Sequence, residues 1–199
     1  MNKFLKRAID LIFSLLLLVI CIIPMLVIAM CIKIFDGGKV FFIQERMGYH
    51  GKKFRIYKFR TMIENAEDMG TGLNSYTDDD RVTKIGNFLR NTSLDELPQL
   101  INILKGDMSF IGPRPPVYKT FKNYPNIERK FLVRFEVRPG LTGLAQINGR
   151  NELSWDEKIV YDKEYVDIFN SKKWFIQEIK IVLLTVWKVL TNEGAYDKQ

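Results

Sequence analysis

Two adjacent carboxylates, Asp95 and Glu96, open the apolar run Leu94-Asp95-Glu96-Leu97-Pro98-Gln99-Leu100, and further on Arg114 is held between Pro113 and Pro115. Acids beside a fixed guanidinium suit chemistry at a phosphate: one carboxylate attacks phosphorus or holds a metal, and the arginine neutralises the oxygens. An ionised Asp is a competent phosphorus nucleophile. A neighbouring Glu suits Mg²⁺, which takes a carboxylate or two and shares the remaining positions with substrate phosphates. The stretch Gly112-Pro113-Arg114-Pro115-Pro116 is stiff, polyproline-like backbone, so Arg114 is aimed with little entropy left to lose; a proline-rich surface loop with an incidental arginine reads the same way. His50, the only histidine, sits in a glycine turn. A His-based triad is therefore not expected, and acid–base work falls to carboxylates or to the substrate.

The element that must carry the acids has two readings. Ser93-x-x-Glu96 matches a capping box, in which both acids merely start a helix. Pro98 argues against it, because with Ser93 as cap the proline falls inside the helix and leaves the Leu94 carbonyl unbonded. With the cap nearer Asp95, Pro98 enters the first turn at little cost, and the acids sit at the positive helix end beside an anion site. Lys58, Arg90 and Arg150, taken singly, read as surface charge.

At 199 residues, one domain plus an anchor is expected, with length enough for a real core. A formal charge of +7 predicts attraction to polyanions: nucleic acid, anionic lipid or nucleotide-linked substrates. The uncharged run Leu11 to Ile32 tips that choice toward lipid and away from a nucleic acid polymer. As a straight helix it measures about 33 Å, enough to cross a hydrocarbon core of about 30 Å. A cleaved signal is not expected, since the run is too long, no small-x-small site follows, and Lys33-Ile34-Phe35 continues directly. Cys21 and Cys31 both lie within it and read as buried small hydrophobes, with no disulfide framework or zinc spacing. Pro24 divides the run into halves of about 20 Å and 12 Å, neither long enough to cross alone. Basic residues flank it on both sides: Lys3, Lys6 and Arg7 before, Lys33, Lys39 and Arg46 after. A single span cannot put both flanks in the cytoplasm. The residues alone leave a kinked spanning helix and a re-entrant hairpin in close contest.

Beyond the anchor, Val40 to Ile43 and Lys53 to Phe59 read as strands around the turn Gly48-Tyr49-His50-Gly51. Glu64 to Asp80 reads as a polar loop or lid, its acids a solvated turn or, less readily, metal ligands. Val82, Ile85, Phe88 and Leu89 have helical spacing. A helix runs from Leu97 to Leu104 and stops at Lys105-Gly106, and Glu128 to Phe135 looks helical. A Pro-Gly turn follows at Arg138 to Gly143, then an amphipathic helix from Ser154 to Ile168. The last helix, around Phe175 to Leu190, carries a long apolar face with lysines, a pattern shared by core helices and helices lying on a membrane surface.

The chain resembles, from end to end, the bacterial sugar transferase family, the monotopic phosphoglycosyl transferases. The residues that carry the resemblance are Lys6-Arg7-x-x-Asp10, Pro24, Ile56-Tyr57-Lys58-Phe59-Arg60-Thr61-Met62, Leu94 to Leu100, Leu104-Lys105-Gly106-Asp107-Met108-Ser109, Gly112-Pro113-Arg114-Pro115, and Arg138-Pro139-Gly140 through Asn148-Gly149-Arg150. The length matches the minimal members. The resemblance implies an α+β fold, mainly α: a re-entrant helix-break-helix anchor over residues 1–36 and a catalytic domain over 37–199 on the cytoplasmic face of the bacterial inner membrane. It implies transfer of a sugar-1-phosphate from a nucleoside diphosphate sugar, UDP-linked by expectation, to polyprenyl phosphate. Asp95 would be the nucleophile and, with Glu96, would hold Mg²⁺. Lys58, Arg90, Arg114 and Arg150 would handle phosphate oxygens. One departure is that Ile23 stands where a serine often precedes the helix-breaking proline.

Overall fold

The computed structural model describes residues 2–69, 72, 79–119, 129–149 and 152–191. Helix α1 spans Asn2–Cys31 and runs on into a π-helical turn at Ile32–Asp36. It is long and apolar enough to cross a membrane and is a candidate membrane segment. Its backbone stays helical through Pro24, where an interruption was expected. The proline removes one bond, to the Ile20 carbonyl, and Met25, Ile28 and Ala29 just beyond it pack on the domain.

That packing follows one stripe at helical spacing. Lys6, Asp10 and Ser14 are buried. Leu17 and Leu18 then pack on the cluster of Phe54, Ile56, Leu100, Ile103 and Met108. Beyond Pro24, the helix meets Phe59 and Leu89 through Met25, Ile28 and Ile32. The opposite face leaves Leu16, Ile20, Ile23 and Leu26 more than half exposed, a continuous apolar surface of the kind that meets a membrane or a partner. The first turns are fastened by Arg7, which donates to the carbonyls of Ile103 at 2.6 Å and Leu104 at 2.8 Å.

Strands β1 (Phe41–Met47) and β2 (Lys53–Phe59) form the expected hairpin, antiparallel, with Phe41 opposite Phe59 and Met47 opposite Lys53. β1 runs further than its apolar run suggested because Arg46 and Met47 are also bonded from the segment around Pro116. Alternation puts Phe54 and Ile56 inward and aligns Lys58 with them. In the loop after β2, Arg81 donates to the carbonyls of Ala66, Met69 and Gly72 and pairs with Asp79 at 2.7 Å. Residues 70–71 and 73–78 of the expected lid lie outside the described residues.

Helix α2 (Lys84–Thr92) is capped by the Thr83 hydroxyl, which accepts from Gly86 N at 2.9 Å. It ends at Ser93 in the left-handed region, and Leu94–Glu96 forms a 3-10 turn before α3 (Gln99–Lys105). Neither reading of the acid pair's helix start survives unchanged. Ser93 terminates α2 instead of capping the next helix, and its side chain caps nothing. Pro98 takes the N-cap position of α3, where its missing N–H goes unneeded.

The sequence reading missed a short parallel pair, β3 (Ser109–Ile111) with β4 (Gly140–Thr142). Glycine at 112 and at 140 permits it: a Cβ on Gly112 would strike the Arg138 carbonyl, and one on Gly140 the Gly112 backbone. Then come α4 (Arg129–Leu132), α5 (Leu144–Ile147), α6 (Trp155–Asn170) and α7 (Trp174–Leu190). A full capping box of Ser154 and Glu157 starts α6. Helix α7 combines both sequence patterns: Trp174, Glu178 and Ile181 are buried, while Ile176, Leu183, Trp187 and Leu190 stand out from the surface.

Candidate active site

The acid pair occupies the 3-10 turn between α2 and α3, with Asp95 and Glu96 both buried. Two adjacent carboxylates taken out of water need cations close by. Lys58 supplies one from the inward row of β2, its Nζ 2.7 Å from Glu96 Oε1 and 3.5 Å from Asp95 Oδ2. Arg114 supplies the second, its Nη2 3.2 Å from the same Glu96 oxygen. Asn102 locks the strand that carries Lys58 to α3: it accepts from Tyr57 N at 3.0 Å and donates to the Arg55 carbonyl at 2.7 Å. The structure thus gathers Lys58, Asp95, Glu96 and Arg114 into one cluster.

Arg114 is aimed from behind by Arg46, which the sequence offered only as part of the basic flank after the apolar run, and by Arg134, which sequence reading passed over. Arg46 donates to the Pro115 carbonyl and Arg134 to the Arg114 carbonyl, each at 2.9 Å. Both are buried guanidinium groups. Burial, then repulsion from Arg114, lowers the Arg46 pKa to about 9. Arg134 faces Asp162 at 3.1 Å and lies over the Trp155 ring at 5.2 Å. Burial pushes the Asp162 carboxyl up to about 6 against the pull of Arg134 and Lys158. Arg46 and Arg134 come from a strand end and a one-turn helix, and no local pattern marks either of them.

Arg90 sits in the last turn of α2, where its Nε donates to the hydroxyl of Thr61, two residues beyond the end of β2, at 2.9 Å. Arg150 lies outside the described residues. Among the described residues no third acid, histidine or cysteine joins Asp95 and Glu96. Two carboxylates suit a Mg²⁺ ion shared with phosphate oxygens, which needs no all-protein cage.

Beside the cluster, a groove of about 760 Å³ runs between α1 and α7, with Glu96 and Arg114 in its lining. The arrangement offers a buried carboxylate pair, two cations able to meet phosphate oxygens, and an apolar trough leading away from them.

Comparisons with known proteins agree with this chemistry. The model of the family described as "Bacterial sugar transferase" matches residues 1–192. The "Uncharacterized sugar transferase EpsL" of Bacillus subtilis (strain 168) is 44% identical over 190 residues, spanning 96% of this chain and 89% of that protein. The "UDP-glucose:undecaprenyl-phosphate glucose-1-phosphate transferase" of Escherichia coli (strain K12) is 42% identical over 202 residues, spanning 98% of this chain and 42% of that protein. The "Undecaprenyl-phosphate galactose phosphotransferase" of Salmonella typhimurium is 37% identical over 210 residues, again with 98% of this chain against 42% of its relative. The chain therefore spans most of the first protein and less than half of the other two.

Proposed function

We infer the following reaction for the chain, which belongs to the bacterial sugar transferase family and is a transferase. It moves a sugar-1-phosphate from a nucleoside diphosphate sugar, a UDP-sugar by analogy with its relatives' names, to polyprenyl phosphate. The observation that carries this is Lys58, Asp95, Glu96 and Arg114 gathered at the edge of an apolar groove.

An Asp95 carboxylate oxygen attacks the phosphorus that bears the sugar, and the bond from that phosphorus to the oxygen of the nucleoside monophosphate breaks. The monophosphate leaves with the electron pair, and the sugar-phosphate stays on Asp95 as an acyl phosphate. A phosphate oxygen of polyprenyl phosphate then attacks the same phosphorus, displaces the Asp95 carboxylate, and yields a polyprenyl diphosphate sugar. Arg114, held at its own carbonyl and at that of Pro115, presents its planar fork to the phosphate oxygens. Lys58 stands over both carboxylates and can follow the charge as it moves. Glu96, with Asp95, would hold Mg²⁺, which neutralises phosphate oxygens when bound.

For topology, the reading is re-entrant, with both ends of α1 and residues 37–199 on the cytoplasmic face. Arg7 fastens the start of α1 to α3, and its far end runs through Ile32–Asp36 into β1. One packed unit holding both ends favours one side for both. Asn2→Cys, in a background without Cys21 and Cys31, should resist a membrane-impermeant thiol reagent on intact cells; labelling from outside would mean a simple span.

The reaction is tested by incubating the enzyme with a panel of UDP-sugars. Multiple-turnover UMP release with a lipid-linked sugar product is expected for one of them when polyprenyl phosphate is supplied, and at most one equivalent of UMP per enzyme without it. Absence of both across the panel would refute the reading.

A further inference from the structure

The groove between α1 and α7 has a use that the acid cluster alone does not explain. Its walls are Ile9, Phe13 and Leu17 of α1 and Ile179, Val182 and Val186 of α7. Leu97, Leu100, Phe110 and Leu141 make the floor. The Lys6–Glu178 ion pair, 3.0 Å, ties α1 to α7 and forms part of the lining. The polar lining includes Asn91, Ser93, Glu96 and Arg114. Its volume lies within the range of sites that bury a whole small ligand. Such a shape fits one long apolar chain ending in an anionic head.

Gln146 adds an independent sign of a ligand. It lines the groove, and neither its Oε1 nor its Nε2 has a hydrogen-bond partner among the described residues, although both atoms are buried. Buried amides are seldom left unpaired. The nearby hydroxyls are already engaged, Thr142 with Thr185 at 2.7 Å and Thr185 also with the Ile181 carbonyl at 2.7 Å. Gln146 Oε1 lies 3.0 Å from where a Gly143 Cβ would stand, and Gly143 abuts the Gly112 carbonyl. The carboxamide therefore sits at the base of the loop that carries Arg114.

We propose that this groove holds the isoprenoid chain of the acceptor, with its phosphate beside Glu96 and Arg114 and the Gln146 carboxamide bonded to the head group. The assignment rests on the transferase reading above. Continuity with the acid cluster selects the occupant: a single-chain phosphate monoester places its head at the reacting groups while its tail fills the trough. A two-chain bilayer lipid has a second tail to seat outside it.

The test uses the full chain in nanodiscs and a polyprenyl phosphate bearing a benzophenone within its chain. Photocrosslinks are expected on peptides carrying Phe13, Leu17, Val182 and Val186, suppressed by unlabelled polyprenyl phosphate and not by equal phosphatidic acid. Crosslinks confined to the outward residues Ile23, Leu26 and Ile176, or equal suppression by phosphatidic acid, would overturn the assignment. A kinetic arm fills the groove with Val182→Trp, a position already 43% exposed and so tolerant of a larger ring. The KM for polyprenyl phosphate should rise about tenfold or more, and that for the UDP-sugar should stay within about twofold. Ile176→Trp, on the outward face, should change neither; equal effects of the two variants would count against the groove. Gln146→Leu should raise the acceptor KM about fivefold at unchanged melting temperature; an unchanged KM removes Gln146 from the site. Crosslinking reads binding without turnover. A probe seated in the groove of an enzyme that forms no product would overturn the reaction and keep the slot. Turnover with crosslinks only on the outward faces would do the reverse.

Discussion

Two clusters in this molecule each set a pair of carboxylates against cations, and both line the same groove, yet they are built differently. At one, Lys6 lies 3.3 Å from Asp10 and 3.0 Å from Glu178. Asp10 also accepts from the Ser109 hydroxyl at 3.1 Å and from Phe110 N at 3.3 Å, and Glu178 accepts from the Tyr165 hydroxyl at 2.7 Å. Donors from α1, β3 and α6 thus meet there, with Glu178 coming from α7. At the other, Asp95 and Glu96 are consecutive residues on one short turn. Their cations are Lys58 and the partly exposed Arg114, whose side chain keeps 35% of its surface. The first cluster joins four distant elements through neutral donors as well as charge, which is how a lock is made. The second gathers two acids on one turn beneath an accessible guanidinium, the arrangement that the proposed phosphate chemistry calls for.

Matching substitutions should separate the two roles. Asp95→Asn should cut turnover by about a thousandfold or more while the melting temperature moves little. Asp10→Asn should do the opposite, lowering the melting temperature and leaving kcat per folded molecule near normal. A large kcat loss from Asp10→Asn in folded protein would break the distinction. Glu178→Leu, which strands Lys6 with a single acid, should cost about 3–5 kcal/mol of stability, read by thermal melting in detergent.

At the site itself, Arg114→Lys keeps the charge and loses the fork, and a rate loss of about ten- to a hundredfold is expected in steady-state assays. An unchanged rate would return Arg114 to the incidental-arginine reading. Glu96→Gln should lower activity and flatten its dependence on added Mg²⁺; full wild-type activity in excess chelator would remove the metal role.

The smallest effect belongs to the support behind Arg114. The folded-state pKa of Asp162, about 6, lies above the value of 3.8 for a free Asp. Its contribution to stability is therefore fully present below about pH 4 and is lost as pH rises through about 6, because the folded state then holds more protons than the unfolded one. Melting temperature should fall between about pH 4 and 6 by an amount worth on the order of 1–3 kcal/mol. Asp162→Asn should flatten that slope even as it destabilises the fold by stranding Arg134; an identical slope in the variant would assign the pH dependence elsewhere.

How much of this the sequence disclosed follows from how far apart the partners lie. Asp95-Glu96 and Pro113-Arg114-Pro115 are local patterns, legible from adjacency, whereas Lys58, which reads singly as surface charge, is turned toward the acids by the register of β2. The turn that holds the acids was ambiguous because Ser93 satisfies the pattern of a cap while serving as the stop of the helix before it. Asp10 and Glu178 come from opposite ends of the chain, and Arg46, Arg134 and Asp162 from three separate elements, so no spacing could join them. The pair β3–β4 escaped because each strand is three residues long and is held by glycine contacts instead of an alternating pattern. The apolar run of α1 was plain, but its one-sided attachment was not: Lys6 and Arg7, read as part of the basic flank before that run, are spent on Glu178 and on the carbonyls of α3.

In the proposed reaction Asp95 carries the sugar-phosphate between donor and acceptor. Intact-mass measurement of the enzyme incubated with its UDP-sugar and no polyprenyl phosphate tests it directly. A mass increase equal to one sugar-phosphate is expected, mapping to the peptide that contains Asp95, absent in Asp95→Asn and discharged when polyprenyl phosphate is added. An unmodified enzyme that still turns over when both substrates are present, or an adduct that persists in Asp95→Asn, would contradict it.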